Sequence, residues 1–313
     1  MIYIGLFLFS SILTYGIRLY ANKKSILDIP NERSSHTIPT PRGGGLAIIL
    51  GFFLALFIFK DEIDDRLFYS LFCVVPIVIV SLIDDIKPIS SLIRALTQSF
   101  SAILALYFLG GVGEIDFILF SIDGVLANIL AFISIFWVTN LYNFLDGIDG
   151  YASIQTITMG IGLYVFFSNP LGLAIISLSL GFLIFNWDKA SIFMGDVGSA
   201  SLGFIFSIFI FYDTSNANIF IWLILLSLFW VDATITLIRR FINREKFTQA
   251  HKKHAYQRLV QYGYRHSQVV SKALIFNLIF LFLLYILPIF WVFILNILSL
   301  ISIYFWIETK KAF

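Results

Sequence analysis

The side chains that could do chemistry are concentrated in a few short polar segments between long apolar runs. The densest segment is Asn143-Phe-Leu-Asp146-Gly-Ile-Asp149-Gly150, in which an amide and two carboxylates recur every three residues. This spacing would place all three on one face of a helical turn, and the glycines permit tight turns of the backbone. Such side chains can hydrogen-bond a nucleobase or a ribose, or contribute to a metal site.

A pair of adjacent acids, Asp84 and Asp85, follows another apolar run. Unpaired carboxylates at a membrane boundary are costly, so the pair indicates a function, with a solvated acidic helix end as the alternative. Adjacent residues on a helix diverge by about 100°, and the two acids are therefore expected to act differently. One could bind Mg²⁺ while the other orients or deprotonates a phosphate acceptor.

A third polar segment places Asp196 between two glycines, immediately before an apolar run. The segment begins at Asn186 and includes Phe193. Asp196 is the candidate for direct coordination of Mg²⁺, which prefers hard oxygen ligands. Phe193 could stack on a nucleobase, but aromatics are so common in this chain that ordinary packing stays open as the alternative.

Arg42 precedes three consecutive glycines, residues 43–45, that open an apolar run. Glycines at a helix start let a ligand approach the backbone N–H groups, and the helix dipole favours an anion there. Arg42 beside them indicates phosphate binding. The alternative is a flexible helix entry.

The longest polar segment, at about 239–271, is rich in arginine, lysine and histidine. Its charge suits a pyrophosphate or an anionic lipid headgroup. His251 and His254 could share a helical face, and phosphate contact is favoured because zinc would need further ligands. A positive loop with incidental histidines remains the alternative, and His266 is interpreted as incidental. Asp232, inside an apolar run, is interpreted as structural.

The composition indicates that membrane helices must position these groups. The 313 residues are 59% hydrophobic and 13% charged, against about 45–50% and 25% in soluble domains. This excludes an ordinary soluble enzyme, because the polar surface is too small to cover a water-soluble fold. The net charge of +2 gives no reason to expect nucleic acid as a partner. Cys73 is the single cysteine, so no intrachain disulfide can form.

Apolar runs between charged breaks predict an all-α, polytopic membrane protein with about eleven transmembrane helices. The runs lie at about 2–20, 44–59, 67–83, 91–109, 122–139, 151–168, 171–187, 200–212, 219–238, 272–287 and 289–307. Ten helices remain an alternative, because the run at 200–212 is short and 272–307 is divided only at Pro288. A single catalytic domain over 1–313 is expected.

The distribution of lysine and arginine predicts the orientation, since basic residues near span ends favour the cytoplasm. With the N-terminus outside, every lysine and arginine except Lys60 and Arg66 falls on the cytoplasmic side. The polar segments fall there too, as loops at about 21–43, 84–91, 140–150, 188–199 and 239–271. We therefore expect a multi-pass protein of the inner (plasma) membrane with its active site facing the cytoplasm.

Taken in order, these motifs resemble the polyprenyl-phosphate N-acetylhexosamine-1-phosphate transferases of glycosyltransferase family 4, the superfamily of WecA and the MraY translocase. The resemblance extends over nearly the whole chain. It is carried by the Asp84-Asp85 pair, the segment from Asn143, the segment Phe193-Met-Gly-Asp196-Val-Gly-Ser and the late histidine loop. It implies transfer of a sugar 1-phosphate from a UDP-sugar to undecaprenyl phosphate at the cytoplasmic face of a bacterial membrane, with release of UMP. The implied cofactor is Mg²⁺, for which Mn²⁺ can substitute.

The resemblance also implies a role for each candidate residue. Asp196 would bind Mg²⁺, and Asp84 and Asp85 would act in catalysis with His251 and His254, which would contact the diphosphate. The nucleotide region would comprise Asn143, Asp146, Asp149, Asn186 and Phe193, the last stacking on uracil. Arg42 is expected near the phosphates.

One departure concerns the histidine loop. MraY carries three consecutive histidines there, whereas this chain has His251-Lys-Lys-His254-Ala-Tyr-Gln. This argues against a muramoyl-pentapeptide substrate and favours the branch that initiates O-antigen or other surface polysaccharides. The implied partners are a UDP-N-acetylhexosamine donor and undecaprenyl phosphate, and a homodimer stays open. The residues identify neither the sugar nor whether an aspartate first takes the phosphosugar.

A transporter or flippase for a polyprenyl-linked sugar is the second class of function. Such a protein would also need many spans, but it would place ionisable groups near the middle of the membrane. In this sequence these groups gather at the predicted inner ends of the spans. This distribution favours the enzyme.

Overall fold

The computed structural model of the chain describes residues 1–30, 35–215, 218–245 and 251–313. The predicted loops at 21–43 and 239–271 each include residues that lie outside these ranges. Within them the chain forms fourteen α-helices. These are α1 (Ile2–Lys23), α2 (Gly45–Ile58), α3 (Asp65–Phe72), α4 (Val75–Ile86), α5 (Ser91–Leu109), α6 (Gly124–Phe144), α7 (Tyr151–Phe167), α8 (Leu171–Asn186), α9 (Asp196–Tyr212), α10 (Asn218–Leu225), α11 (Ser227–Ile242), α12 (Ala255–Tyr262), α13 (His266–Ile286) and α14 (Ile289–Lys310).

Two short antiparallel strand pairs and one 3₁₀-helix, Lys60–Glu62, complete the elements of the described residues. Strand β1 (Leu27–Asp28) pairs with β2 (Thr40–Pro41), with Leu27 opposite Pro41. This pairing closes the base of the first polar loop. Strand β3 (Glu114–Asp116) pairs with β4 (Ser121–Asp123) in the connection between α5 and α6.

The predicted mostly helical membrane fold is confirmed, but helix length alone supports fewer crossings than eleven. Among the described residues, six helical segments are long and apolar enough to cross a membrane, α3 and α4 together forming one of them. The number is seven if α10 and α11, bent by 71° at their junction, count as one span. Four other apolar helices, α2, α7, α8 and α9, have only 14 to 17 residues. A full span needs about 20.

Several predicted boundaries shift in the structure. The short run at 200–212 belongs to a helix that begins at Asp196, so the polar residue opens the helix. The last two runs are separate helices divided around Pro288, as predicted. Proline has no backbone N–H for the helical ladder and breaks it.

One of the short apolar helices, α9, lies at the centre of the bundle. In α9 every residue from Val197 to Phe211 is buried, as expected for a helix that is apolar on all sides. Close approach depends on glycine: a Cβ at Gly203 would lie 2.7 Å from the carbonyl oxygen of Val138 on α6. Small residues at such positions let membrane helices pack backbone to backbone. The pairing of α6 with α9 thus fixes the ends from which two of the polar loops leave.

The bend between α10 and α11 is held by amide side chains from other helices. The carbonyl of Leu225, at the break, accepts a hydrogen bond of 2.7 Å from Gln155 of α7. Asn277 of α13 donates in turn to the side-chain oxygen of Gln155, at 3.0 Å. A helix break inside a membrane is tolerated where neighbouring side chains satisfy the freed backbone groups.

Candidate active site

A cavity of about 640 Å³ lies where the five polar loops meet at one end of the bundle. Its wall includes every candidate residue named from the sequence except Asp84 and His254. Those on the wall are Arg42, Asp85, Asn143, Asp146, Asp149, Asn186, Phe193, Asp196 and His251. Residues as far apart in the chain as Asp28 and His266 therefore surround one space. The arrangement suits a ligand that carries both charged and aromatic groups.

Asp85 fixes the start of α9. Its carboxylate oxygens accept hydrogen bonds from the backbone N–H groups of Asp196 at 3.0 Å and Val197 at 3.2 Å. A carboxylate at this position satisfies free N–H groups and interacts favourably with the helix dipole. Gly195 makes the approach possible, because its φ is +75° and a Cβ there would lie 2.5 Å from a carboxylate oxygen of Asp85.

Asp84 faces a different partner, as the helical geometry predicts for adjacent acids. The guanidinium of Arg94 donates to Asp84 at 3.1 Å and to Asp196 at 3.0 Å. Arg94, on α5, thus links the end of α4 to the start of α9. No motif spacing in the sequence singles out Arg94. The available signal was its position as the sole charged residue of the apolar run 91–109, since such residues are expensive and usually functional.

The acids of the third loop reach the cavity without sharing a helical turn. Helix α6 ends at Phe144, so Asp146 and Asp149 lie in the connection to α7. The prediction of one helical face is therefore wrong. The backbone turns at Gly150, whose φ is +76°. Glycine adopts this left-handed conformation without a steric penalty.

Asp149 joins three loops. One of its carboxylate oxygens accepts the backbone N–H groups of Lys189 at 3.1 Å and Ala190 at 3.2 Å. The same oxygen lies 3.1 Å from Nδ1 of His266, which is also on the cavity wall. His266, which was interpreted as incidental, therefore has a specific partner at the cavity wall. Sequence spacing could not reveal it, because its partner is 117 positions away.

The side-chain amide of Asn186 makes its hydrogen bonds with other groups of the protein. Its oxygen accepts hydrogen bonds from the N–H of Gly150 and the hydroxyl of Ser153, each at 3.1 Å. Its nitrogen donates to the carbonyl of Ile192 at 3.1 Å. These bonds hold the third and fourth loops together, so Asn186 shapes the cavity.

The carboxylate of Asp146 lacks a compensating donor among the described residues. Burial raises its pKa well above the usual range, and the negative charges of Asp196, Asp85 and Asp149 raise it further. An additional positive charge in the cavity would relieve this repulsion.

The oxygen donors fit Mg²⁺, although the protein alone does not complete a site. No group of three histidines, cysteines, aspartates or glutamates within the described ranges has the geometry of a metal site. Mg²⁺ is commonly held by one or two carboxylates together with substrate phosphates and water. Asp196 and the unpaired Asp146 supply carboxylates of that kind.

Phe193 is tied to the first loop through its backbone. Its N–H donates to the carbonyl of Pro41 at 2.8 Å, and its carbonyl accepts the N–H of Gly44 at 3.0 Å. Its ring packs edge-on against His36, with centroids 4.8 Å apart. His36 also lines the cavity but was not singled out from the sequence. Such a ring, fixed by its backbone, can serve as a stacking surface for a flat ligand.

Arg42 presents an unused donor beside this ring. Its Nε atom is buried and has no hydrogen-bond partner among the described residues. Buried donors are normally paired. The unpaired guanidinium nitrogen on the cavity wall therefore fits an anionic ligand.

The two candidate histidines have different surroundings. His251 lies on the cavity wall. Burial, together with the charges of His254 and Arg240, lowers its pKa to about 4, so its imidazole is uncharged at neutral pH. It can therefore donate or accept a hydrogen bond but adds no fixed positive charge.

His254 lies behind the wall. It is 4% exposed, and its Nδ1 atom lies 3.5 Å from a carboxylate oxygen of Asp232. That oxygen also accepts the N–H of Ala255 at 2.8 Å. The side-chain oxygen of Gln257 caps the start of α12 by accepting the backbone N–H of His254 at 3.3 Å. The two histidines precede this helix, so they do not share a helical face, and the structural interpretation of Asp232 agrees with its contacts.

Comparison with known proteins adds an independent finding. The family described as "Glycosyl transferase family 4" matches residues 67–214. A Bacillus subtilis protein, "Probable undecaprenyl-phosphate N-acetylglucosaminyl 1-phosphate transferase", is 29% identical over 86% of this chain and 79% of its own length. A Thermotoga maritima "Undecaprenyl-phosphate alpha-N-acetylglucosaminyl 1-phosphate transferase" is 29% identical over 86% of both chains. A Mycobacterium leprae "Decaprenyl-phosphate N-acetylglucosaminephosphotransferase" is 27% identical over 83% of this chain and 77% of its own.

Proposed function

We infer that the chain belongs to glycosyl transferase family 4, whose model matches residues 67–214. On that premise we propose that it transfers an N-acetylhexosamine 1-phosphate from a UDP-sugar to undecaprenyl phosphate, releasing UMP. The product would initiate a surface polysaccharide such as an O-antigen, a capsule or a cell-wall polymer. The observation that carries this proposal is the cavity that gathers the acids, Arg42 and Phe193 at one end of an apolar bundle. The names of the relatives support the sugar phosphate and the polyprenyl acceptor.

The position of the cavity suits two substrates from different phases. The acceptor keeps its long tail in the lipid, while its phosphate must meet a water-soluble donor. A site at the boundary of the membrane holds both reactants in one place and removes much of the entropic cost of their encounter. The new bond joins an oxygen of the acceptor phosphate to the phosphorus that bears the sugar, and the pyrophosphate bond to UMP breaks.

The UDP-sugar donor would extend along the cavity wall, from the first polar loop to the third. Uracil would stack on the face of Phe193 that His36 leaves free, and the diphosphate would accept from the unpaired Nε of Arg42. His251 would donate a hydrogen bond to a phosphate oxygen. Asn143, Asp146 and Asp149 would border the nucleotide.

Asp196 would hold Mg²⁺, with Asp146 beside it to share the ion. When bound, the ion supplies charge neutralisation for the diphosphate in the transition state. The chain's own contribution is to position Asp196 and its neighbours. Asp85 does so by fixing the start of α9, and Arg94 does so by binding Asp84 and Asp196 together. His254 would act through the fold of α12.

Incubation of the purified protein with undecaprenyl phosphate, Mg²⁺ and a panel of UDP-N-acetylhexosamines tests this function. We expect UMP and a lipid-linked sugar diphosphate in equal amounts with at least one donor. Omission of the acceptor is the control, because hydrolysis of the donor alone would also release UMP. Absence of UMP across the panel, with movement of a preformed lipid-linked sugar across vesicles, would instead favour the transporter.

We further propose that α2, α7, α8 and α9 also cross the inner membrane, which gives eleven spans and a cytoplasmic cavity. The convergence of the five loops supports this count. Each chain segment between two successive loops must run from the cavity end of the bundle to the other end and back, which requires two crossings. Helices α5 and α6 supply both crossings of one segment, and each of the other segments has two only if the short helices are counted. Burial inside the bundle lets a short helix cross without matching the full thickness of the lipid.

Cysteine labelling in a Cys73→Ala background tests the topology. We expect cysteines at Ser35, Ser90 and Ser191 to react only with reagent on the cytoplasmic side, and one at Asp64 to react only from outside. Labelling after permeabilisation controls for accessibility. Reaction of Ser191→Cys from outside would contradict both the span count and the orientation.

A further inference from the structure

A second cavity, of about 210 Å³, lies between α11, α12, α13 and α14. Its walls are almost entirely apolar, and the lining includes Leu228, Val231, Phe276 and Leu300. No reacting group of the proposed transfer lies in it. Such a space among membrane helices favours a hydrocarbon chain as its occupant.

Only two charged side chains line this cavity among the described residues, and only one is available to a ligand. Asp232 is 5% exposed and is engaged by His254 and by the N–H of Ala255. Lys272 is exposed at the rim. The polar end of an occupant would therefore meet a positive charge.

Next to Lys272, at the edge of the cavity, lies a row of alternating basic and aromatic side chains. The amino group of Lys272 lies 5.8 Å from the ring centre of Tyr264, which lies 6.3 Å from that of Trp306. The amino group of Lys310 lies 5.9 Å from Trp306 on one side and 5.5 Å from Tyr262 on the other. Tryptophan, tyrosine and lysine of this kind are characteristic of the membrane–water interface.

The cavity reaches the outer surface of the bundle at α14. Two of its lining residues on that helix, Trp306 and Ile303, are 40% and 36% exposed. An occupant could therefore enter from the lipid with its chain first. Its headgroup would remain at the level of the two lysines.

We propose that this cavity binds an anionic phospholipid, with one acyl chain in the apolar space and the phosphate between Lys272 and Lys310. Basic pockets between helices at the cytoplasmic interface suit such headgroups. A polyprenyl phosphate carries the same combination of hydrocarbon and phosphate, and the experiment below separates the two sources.

The occupant would support the wall of the active cavity. Tyr256 lines the apolar cavity, donates a hydrogen bond to the carbonyl of Phe144 at 3.2 Å, and contacts Gly147 so closely that a Cβ there would lie 2.0 Å from its hydroxyl. Gly147 lies on the wall of the active cavity. A filled lipid site holds α12, and with it the histidine loop, in place. This effect on turnover rests on the proposed function, whereas the binding itself does not.

Binding is tested with delipidated protein titrated with phosphatidylglycerol, the bound lipid being counted by native mass spectrometry. We expect saturable binding that is at least tenfold weaker in the double variant Lys272→Gln/Lys310→Gln, and little binding of phosphatidylcholine. Ala273→Trp, which fills the cavity, should have the same effect. The matched controls are Lys87→Gln, an exposed lysine elsewhere, and Ile275→Trp, on the lipid-facing side of α13; both should bind as the wild type does.

The double lysine variant keeps the test decisive if Ala273→Trp does not fold. Equal phosphatidylglycerol binding by the double variant and the wild type would overturn the proposal. So would displacement of the phospholipid by undecaprenyl phosphate with the same sensitivity to the variants, since the acceptor would then be the occupant. Turnover in phosphatidylglycerol vesicles should exceed that in phosphatidylcholine vesicles several-fold, and the double variant should lose this difference. If the protein is not a transferase, only this last measurement fails.

Discussion

Replacement of Asp196 by asparagine is expected to lower turnover by roughly 10²- to 10³-fold, the scale associated with loss of one preorganised electrostatic group. The amide keeps the volume of the carboxylate but removes the charge that would hold Mg²⁺. The hydrogen bond from Arg94 can still be accepted by the amide oxygen. The midpoint temperature of thermal unfolding should therefore change by only a few degrees, because the backbone N–H of residue 196 still donates a hydrogen bond to Asp85.

The measurement is the rate of UMP release as a function of Mg²⁺ concentration, with the unfolding temperature recorded in parallel. Asp61→Asn is the matched control, since Asp61 is exposed and does not line the cavity. It should behave as the wild type. An Asp196→Asn protein with normal rate and unchanged Mg²⁺ dependence would remove Asp196 from the proposed metal site.

Gly195→Ala is expected to reduce turnover by about 100-fold and also to destabilise the protein. A non-glycine residue at a φ of +75° is strained, typically by about 1–3 kcal/mol. In addition, the new Cβ would meet the Asp85 carboxylate at 2.5 Å and push it away from the start of α9. Asp196 would then lose its fixed position.

A double-mutant cycle separates the two effects, measured as turnover and as the free energy of unfolding. In an Asp85→Ala background, Gly195→Ala should cost only the backbone strain, so the two changes should be far from additive. Gly110→Ala provides the matched control, because Gly110 has a φ of +80° and nothing within 4 Å of an added Cβ. Additive losses of turnover would show that Gly195 does not act through Asp85.

The sequence revealed the candidate residues better than it revealed their contacts. Acids and amides at the ends of apolar runs are costly enough to be recognised individually, and the cavity gathers nearly all those that were named. The pairs formed by Asp149 with His266 and by Arg94 with Asp196 join residues about 100 positions apart. No local periodicity encodes such pairs.

Local spacing also misassigned geometry where glycine interrupts it. The interval between Asn143, Asp146 and Asp149 fits a helical turn, yet the helix ends at Phe144 and the loop brings the acids to the cavity. Similarly, His251 and His254 have helical spacing but precede α12. Residues three positions apart share a face only where the chain is helical. In the first case the helix has already ended, and in the second it has not yet begun.

The short helices account for the difference in span count. Hydropathy located α2, α7, α8 and α9 nearly at their observed bounds, because their residues are apolar enough to be recognised. Their 14 to 17 residues fall below the length of an isolated span. A criterion of helix length therefore leaves them out, whereas a criterion of hydropathy includes them.

The bend between α10 and α11 has a consequence for biosynthesis. Gln155, which satisfies the carbonyl at the bend, is itself oriented by Asn277, and Asn277 lies about 50 residues beyond the break in the chain. A growing chain emerges N-terminus first, so the ribosome has released the bend well before the residue that completes its support. Until α13 has been translated, the amide of Gln155 lacks this partner. The hydrogen-bonded support of the bend is therefore completed only late in the synthesis of the chain.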